Sequence, residues 1–420
     1  MKKKFFYFLL SLIFISNFIY GQLPAFPGAE GFGALASGGR GGSVYHVTNL
    51  NDTGKGSLRD AVSQPNRTVV FNVGGIIKVK DRIAVKSNIT IAGQTAPGDG
   101  IVVYGYGMTF SHEKNVIVRY IKIRGGVDMP KGKCTLTADS AENMIFDHVS
   151  VQWGRWDNLH IEKSNNITMQ YCIIGESIDP QRFGALLERP KTLTVHHCLW
   201  IDNQSRNPKA KAEIEYINNV VYNWGQSGLV GGHSAEQHYQ DVINNYFIAG
   251  PNSTNSFLAM FTATDHVYQT GNVLDLNKDG ILNGRAVSDS DFIFQGASLT
   301  KQKQLSPKIP VTIDSPENAY AKVILSAGAS IQRDAVDERL IGYVKTLGKE
   351  GKIFKTEADA GGQPPLKEDI AKKDSDEDGI PDEWEVAHKL NKNSNKDGNI
   401  VTASGYTNLE LYVNQIASVK

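Results

Sequence analysis

The chain has no net charge: Lys plus Arg and Asp plus Glu both total 44 in 420 residues. No global field marks it for nucleic acid or an anionic membrane surface, so any electrostatic recognition has to be local. Cysteine is scarce. The three residues Cys134, Cys172 and Cys198 have no CxxC spacing, which removes zinc-ribbon and thioredoxin-like readings. Beyond residue 21 no apolar run approaches the ~20 residues of a spanning helix, so no membrane span is expected once the N-terminus is removed. There is no GxxxxGK[ST], so the GGRGG at 38–42 reads as a turn-rich lead-in; a nucleophile elbow, a zinc signature and a nucleotide fingerprint are missing too.

Glycine is plentiful: 41 residues, above the usual share of roughly 7%, which points to many tight turns rather than long helices. At the N-terminus Lys2, Lys3 and Lys4 precede an apolar run over 5–20 and a small residue, Gly21. That order reads as a secretory signal over 1–21, with a mature chain from about Gln22 working outside the cytoplasm, secreted, periplasmic or on a bacterial cell surface.

Between about Asn88 and Asp275 one phrase recurs: a polar residue, alternating apolar residues, a polar pair, more apolar residues, then Gly or Asn. Its instances are NVIVRYIKIRGG, NMIFDHVSVQWG, NITMQYCIIGES, TLTVHHCLWIDN, IEYINNVVYNWG and VINNYFIAG. Aligned on the polar pair, Tyr120, His148, Tyr171, His197, Asn219 and Asn245 share one register. The period, about 25 residues, is too short for a ~40-residue propeller blade, and the leucine-rich consensus is missing. The fold class expected is all-β, a single-stranded parallel β-helix whose coils stack equivalent positions. Ile121, Val149, Cys172, Cys198, Val220 and Tyr246 then form one inward column, with the cysteines free, while Asn218, Asn219, Asn244 and Asn245 bridge coil to coil.

A solenoid needs its ends covered. Residues 56–62 fit a short helix capped by Ser57 with Leu58, Ala61 and Val62 on one face, laid over the first coil. After Asp275 the repeat fades and 288–316 reads as irregular. Residues 334–349 fit a helix with Asp334 as cap, packed along the solenoid wall. The β-helix domain is thus expected over 22–360.

Residues 361–373 have linker composition, and 374–420 read as a small calcium-binding tail. DSDEDGIPDEWE matches the twelve-residue calcium loop: Asp374, Asp376 and Asp378 at positions 1, 3 and 5, Gly379 at 6, the Ile380 carbonyl at 7, Asp382 at 9, Glu385 at 12. Asn393, Asn395 and Asp397 form a weaker second loop, where Ser404 replaces the bidentate Glu; Asp275, Asn277 and Asp279 form a third partial match, ended by Ala286. TNLELYVNQI closes the chain as an amphipathic helix. The tail resembles the dockerin and thrombospondin type 3 calcium modules, which implies a stabilising or tethering role.

The candidate chemistry lies in TVHHCLWIDNQSRNPKAK, residues 194–211, where a short apolar strand ends in a turn carrying Arg206, Pro208, Lys209 and Lys211. Three cations on a rigid turn suit an anionic substrate. This stretch, with FPGAEGFGALASGGRGG, VTNLNDTGKGSLRDAV and YINNVVYNWGQSG, resembles the pectate lyases of the family 1 polysaccharide lyases over most of 26–354. The resemblance implies a right-handed parallel β-helix and β-elimination of a 4-linked uronate in an acidic plant cell-wall polysaccharide. By position in the RxPxxR-like turn, Arg206 matches the family's proposed proton acceptor and Lys211 a substrate-binding arginine. Arginine is almost always protonated, so two alternatives stay open: Arg206 stabilises the enolate while water or hydroxide takes the proton, or Lys211 is the base. Arg182 falls near a substrate-binding lysine, with Lys209, Lys131 and Lys133 as further substrate contacts.

The family's catalytic calcium is matched only in part. Asp139 and Asp157 stand as ligands, with Glu176 or Asp179 as contributors, but His160 sits where another acid is expected, and Lys131 and Lys133 could replace the cation. Two other classes compete: a β-helix glycoside hydrolase on pectic polymers, for which Asp147, Asp179 and Asp202 show no paired-aspartate cluster, and a non-catalytic glycan-binding solenoid.

Overall fold

The computed structural model describes residues 22–418; the expected secretory signal lies outside them. The chain coils into a β-solenoid of three parallel sheets. The first has eleven strands, from Ser43–Val47 to Ser298–Leu299; the second has eight, from Ile83–Ala84 to Leu258–Ala259; the third has ten, starting at Gly75–Lys78 and closed by the antiparallel pairing of Arg285–Ala286 on Val273–Asp275. Strands three elements apart in sequence pair in parallel, as in Glu142–Asp147 with Asn165–Gln170, because each coil contributes one strand to each sheet. Apolar residues alternate along these strands, so one continuous core fills the solenoid, from Val47 and Leu58 to Phe292.

The corner between the first and third sheets shows how the sequence builds the turn. Tyr120, His148, Tyr171, His197, Asn218 and Asn244 all adopt positive φ, between 50 and 56°. That conformation costs an L-residue roughly 1–2 kcal/mol, less for Asn. The four ring-bearing residues offset part of it by stacking coil on coil, with centroids 4.5, 5.0 and 5.0 Å apart, each contact contributing roughly 0.5–1.5 kcal/mol. The later coils use Asn instead.

This corrects the expected register by one residue in the last two coils: Asn218 and Asn244, not Asn219 and Asn245, continue the Tyr-His column. Asn219 and Asn245 follow Cys198 inward. Asn219 Oδ1 accepts from Cys198 N at 3.0 Å, Asn245 Oδ1 from Asn219 N at 2.8 Å, and Asn272 Oδ1 from Asn245 N at 3.0 Å. Val220 and Tyr246 accordingly face outward, under the helices that flank the third sheet. NN doublets cannot be registered by pattern alone, since either residue satisfies a polar corner. Cys172 and Cys198 are free and buried, as expected.

Six α-helices lie among the described residues: α1 (Leu58–Ala61), α2 (Asp289–Phe294), α3 (Pro316–Ser326), α4 (Ala335–Lys345), α5 (Asp382–His388) and α6 (Asn408–Ser418). Ser57 caps α1, whose Leu58 and Ala61 join the core, and Asp334 caps α4. α2 and α3 occupy a region expected to be irregular or unassigned; α3 begins with a Ser315 cap and Pro316.

These additions cover two of the three outer faces. α3 and α4 pack on the third sheet through Val323, Leu340, Ile341 and Val344 against Leu199, Val220 and Tyr222. The N-terminal segment lies on the first sheet so closely that a Cβ on Gly33 would stand 2.0 Å from the Met144 carbonyl oxygen. The tail covers the first coils of that sheet, Ile380, Leu409, Tyr412 and Val413 packing on Val70 and Ala92, with Arg40 paired to Glu410 at 2.7 Å. On the second sheet the outward row His160, Glu162, Leu186, Glu188, Lys209 and Lys211 stays part-exposed.

Candidate active site

The open second sheet sets the candidate site by strand register. Asp157–Glu162 pairs with Phe183–Glu188, which pairs with Lys209–Lys211. His160, Leu186 and Lys209 therefore share one row across the sheet, and Glu162, Glu188 and Lys211 the next outward row. Period-2 alternation puts both rows outside while Ile161, Leu187 and Ala210 point into the core.

Arg206 sits in the turn ahead of Lys209–Lys211 at φ 61°. Its guanidinium is held on two sides. Nη1 donates to both Asp157 oxygens, at 3.3 and 3.1 Å, and the group lies over the Phe183 ring, 4.2 Å from its centroid. The side chain remains 21% exposed while Asp157 is buried at 1%. Burial pushes the Asp157 carboxyl up to about 6, against the opposing pull of Arg206 and His160.

The other predicted cations divide by partner. Lys211 Nζ is 3.4 Å from Glu188 Oε1, and Arg182 Nε 3.0 Å from Asp179 Oδ1. Lys209 lies between Arg206 and Lys211, half-buried, and among the described residues has no ion-pair or hydrogen-bond partner. Desolvation, then the like charges of Arg206 and Lys211, lower its pKa. Lys131 and Lys133 are exposed on the neighbouring loop, whose Gly132 faces the Trp156 ring.

The acids expected at a catalytic calcium already have partners. Besides the Asp157 pair, Asp139 Oδ1 is 2.8 Å from His160 Nδ1. Burial opposes protonation of His160, but this hydrogen bond and the charge of Asp139 raise its pKa. Glu176 is turned away, bound by Arg339 of α4 at 2.8 Å and by the Trp153 indole at 3.2 Å. The residues present thus do not fit a calcium cage at this face. Asp147, weighed for hydrolysis, is likewise committed, accepting from Arg119 at 2.7 Å and from His148 at 2.7 Å.

Sequence reasoning missed Glu188, Phe183 and Trp156. The alternation of FGALLE places Glu188 outward next to Lys211, which is a usable signal. The seat of Arg206 on Phe183 and the 40% exposure of Trp156 depend on the coil stacking.

In the tail, one oxygen each from Asp376, Asp378, Glu385 and Asp397 lies within 4.8 Å of every other. Six of their oxygens are buried without a hydrogen-bond partner. Mutual repulsion and, first, desolvation push Asp378 and Glu385 up to about 7. The expected loop is represented only in part: Asp374 accepts from the Glu377 and Gly379 amides at 2.9 Å, Asp382 from Ser375, and Ile380 is buried against the first sheet. Asp397, from the second loop, completes the cluster instead.

The chain is 46% identical over 396 residues to a probable pectate lyase C of Aspergillus fumigatus, covering 94% of each, and 44% identical over 411 residues to one of Aspergillus flavus, covering 97% of each. The chain belongs to the pectate lyase family. No family model matches it. Solved structures agree on the fold of this pectate lyase family member: a thermostable pectate lyase aligns at 15% identity with TM-score 0.54, covering 72% of this chain and 97% of that one. A Bacillus subtilis pectate lyase aligns at 15% identity with TM-score 0.52, covering 75% and 99%. These curated relatives are fungal, so they give the bacterial origin expected above no support.

Proposed function

We propose that this member of the pectate lyase family cleaves 4-linked galacturonan by β-elimination on its second-sheet face. The observation that carries the reading is the turn at 206–211, in which Arg206 is fixed by Asp157 and Phe183 beside the partnerless Lys209. Elimination must neutralise the uronate carboxylate, remove the C5 proton and let the O4 leaving group depart. Lys209 and Lys211 meet the carboxylate, and Arg182, Lys131 and Lys133 hold neighbouring uronates. Arg206, charged and immobile, stabilises the enolate as a base takes the C5 proton. The C4–O4 bond then breaks, C4=C5 forms, and O4 leaves with a proton. Lys209, an ammonium with no resident carboxylate among the described residues, faces the uronate as a charge, which leaves water, hydroxide or Lys211 to take the proton.

Incubation with de-esterified galacturonan tests this: ultraviolet absorbance of the unsaturated product should rise and be lost in Arg206→Ala. Reducing ends without absorbance would show hydrolysis, and binding without either would leave a glycan-binding solenoid.

Two further assignments belong to the same reading. A calcium ion in the tail is supported by the orphaned oxygens of Asp376, Asp378, Glu385 and Asp397, whose 4.8 Å spread is about twice a ~2.4 Å Ca–O distance. Export is supported by the charged and apolar N-terminus; tryptic mapping of secreted material should find a new N-terminus near Gln22.

A further inference from the structure

We propose that elimination in this protein needs no calcium at the second-sheet face, because resident cations already occupy the carboxylates that would hold it, and that Lys209 supplies the charge that meets the reacting uronate. The inference rests on the elimination reading above and concerns how its charge is neutralised.

Asp157 is buried, and both its oxygens face Arg206 Nη1, at 3.3 and 3.1 Å. Asp139 is 2.8 Å from His160 Nδ1, and the same carboxylate also accepts from the Glu162 amide at 3.1 Å. Asp179 pairs with Arg182, and Glu176 belongs to Arg339 on another face. A dication here would have to enter beside Arg206 and His160, displacing each from its acid and leaving two cations next to a third. The tail is the opposite case. There the acids have no resident cation and six buried oxygens lack a donor. Among the described residues it is also the one place where three or more such groups converge.

Lys209 differs from the paired cations around it. Arg206, Lys211 and Arg182 each pair with a carboxylate, whereas Lys209, in the outward row of His160 and Leu186, has no ion-pair partner among the described residues. An incoming carboxylate meets an ammonium already part-desolvated, so little further dehydration is needed. Among the described residues calcium then has one place, the tail, where it affects stability rather than the elimination step.

The test uses the full mature chain, stripped with EGTA and assayed for unsaturated product well below the melting temperature of the stripped protein, with circular dichroism to verify the fold. Initial rates with and without calcium should agree within about two-fold, while the melting temperature falls on stripping. Lys209→Ala should lower kcat/KM by about 100-fold under both conditions, the scale of losing one charge-stabilising group. It should also weaken calorimetric binding of a galacturonate oligomer in EGTA by about ten-fold, a typical loss for one charge-assisted contact, and Lys209→Arg should recover most of that binding. A ten-fold or greater loss of rate in folded, stripped protein, restored by calcium, would overturn the proposal, as would an unimpaired Lys209→Ala. Absence of unsaturated product from the wild type with calcium and without it overturns the elimination reading itself, a distinct result.

Discussion

Replacing Asp157 by Asn separates two effects that the site combines. A buried carboxylate bonded to a guanidinium is often counted as stabilising, and removing one partner of a buried pair costs roughly 3–5 kcal/mol. Here the balance runs the other way. Burial lifts the Asp157 pKa from 3.8 to about 6 even with Arg206 beside it, so the ionised form is less stable in the folded chain than in the unfolded one. The folded state binds the proton more tightly, so stability falls as pH rises from about 4 through 6, and the full cost is present above. Two pKa units correspond to about 3 kcal/mol. Arg206 is part-exposed, so water can take over its lost bond at small cost. Asp157→Asn should therefore melt up to about 3 °C above the wild type at pH 8, for a chain of this size, and within about 1 °C of it at pH 4. Arg206 loses its charged anchor, so kcat/KM at pH 8 should fall at least ten-fold. Differential scanning calorimetry at the two pH values, with product absorbance at pH 8, reads both. A variant that melts several degrees below the wild type at pH 8 would show the pair to be a net stabiliser and not a cost borne to position Arg206.

Three other outcomes follow from particular contacts. Glu385→Gln removes a buried member of the tail cluster and should abolish the rise in melting temperature that calcium gives the wild type, while Asp374→Asn, outside the cluster, should leave most of it; calorimetry with and without calcium distinguishes them. Asn245→Ala removes a side chain that accepts from the Asn219 amide and donates to the Tyr216 carbonyl, so urea unfolding should show a loss of about 2–4 kcal/mol, each of these two partners left unsatisfied costing roughly 1–2. Trp156, exposed beside the Lys131–Lys133 loop and joined by its carbonyl to the Phe183 amide, should contribute a ring face to the polymer; Trp156→Ala should raise KM about five- to ten-fold with kcat nearly unchanged, as measured by initial rates.

The fold was legible because a solenoid repeats its instructions. Six copies of one phrase at about 25 residues exclude the longer-period architectures, and Ser57 and Asp334 mark their helices by local capping alone. The misplacement of Asn219 and Asn245 has a local cause. In the earlier coils the αL corner carries an aromatic ring, a visible marker, whereas in the later ones two adjacent asparagines are indistinguishable until hydrogen bonds separate the turn residue from the ladder residue. At the site, the turn at 206–211 was readable from residue type and spacing. What Arg206 and Lys211 face was not, since Asp157 and Glu188 reach them across coils. The tail shows the same limit: the first loop is a contiguous pattern, but Asp397 enters from the next loop, and only packing of the two loops reveals that it replaces Asp374.

Mass spectrometry of the products from a galacturonate oligomer in heavy-oxygen water shows whether the 206–211 turn performs elimination. Elimination gives a new non-reducing end lighter by one water than the hydrolytic product, with no solvent oxygen incorporated, and Arg206→Ala should give almost none of it. Products carrying solvent oxygen at full hydrolytic mass, or unsaturated product undiminished in Arg206→Ala, would contradict the account.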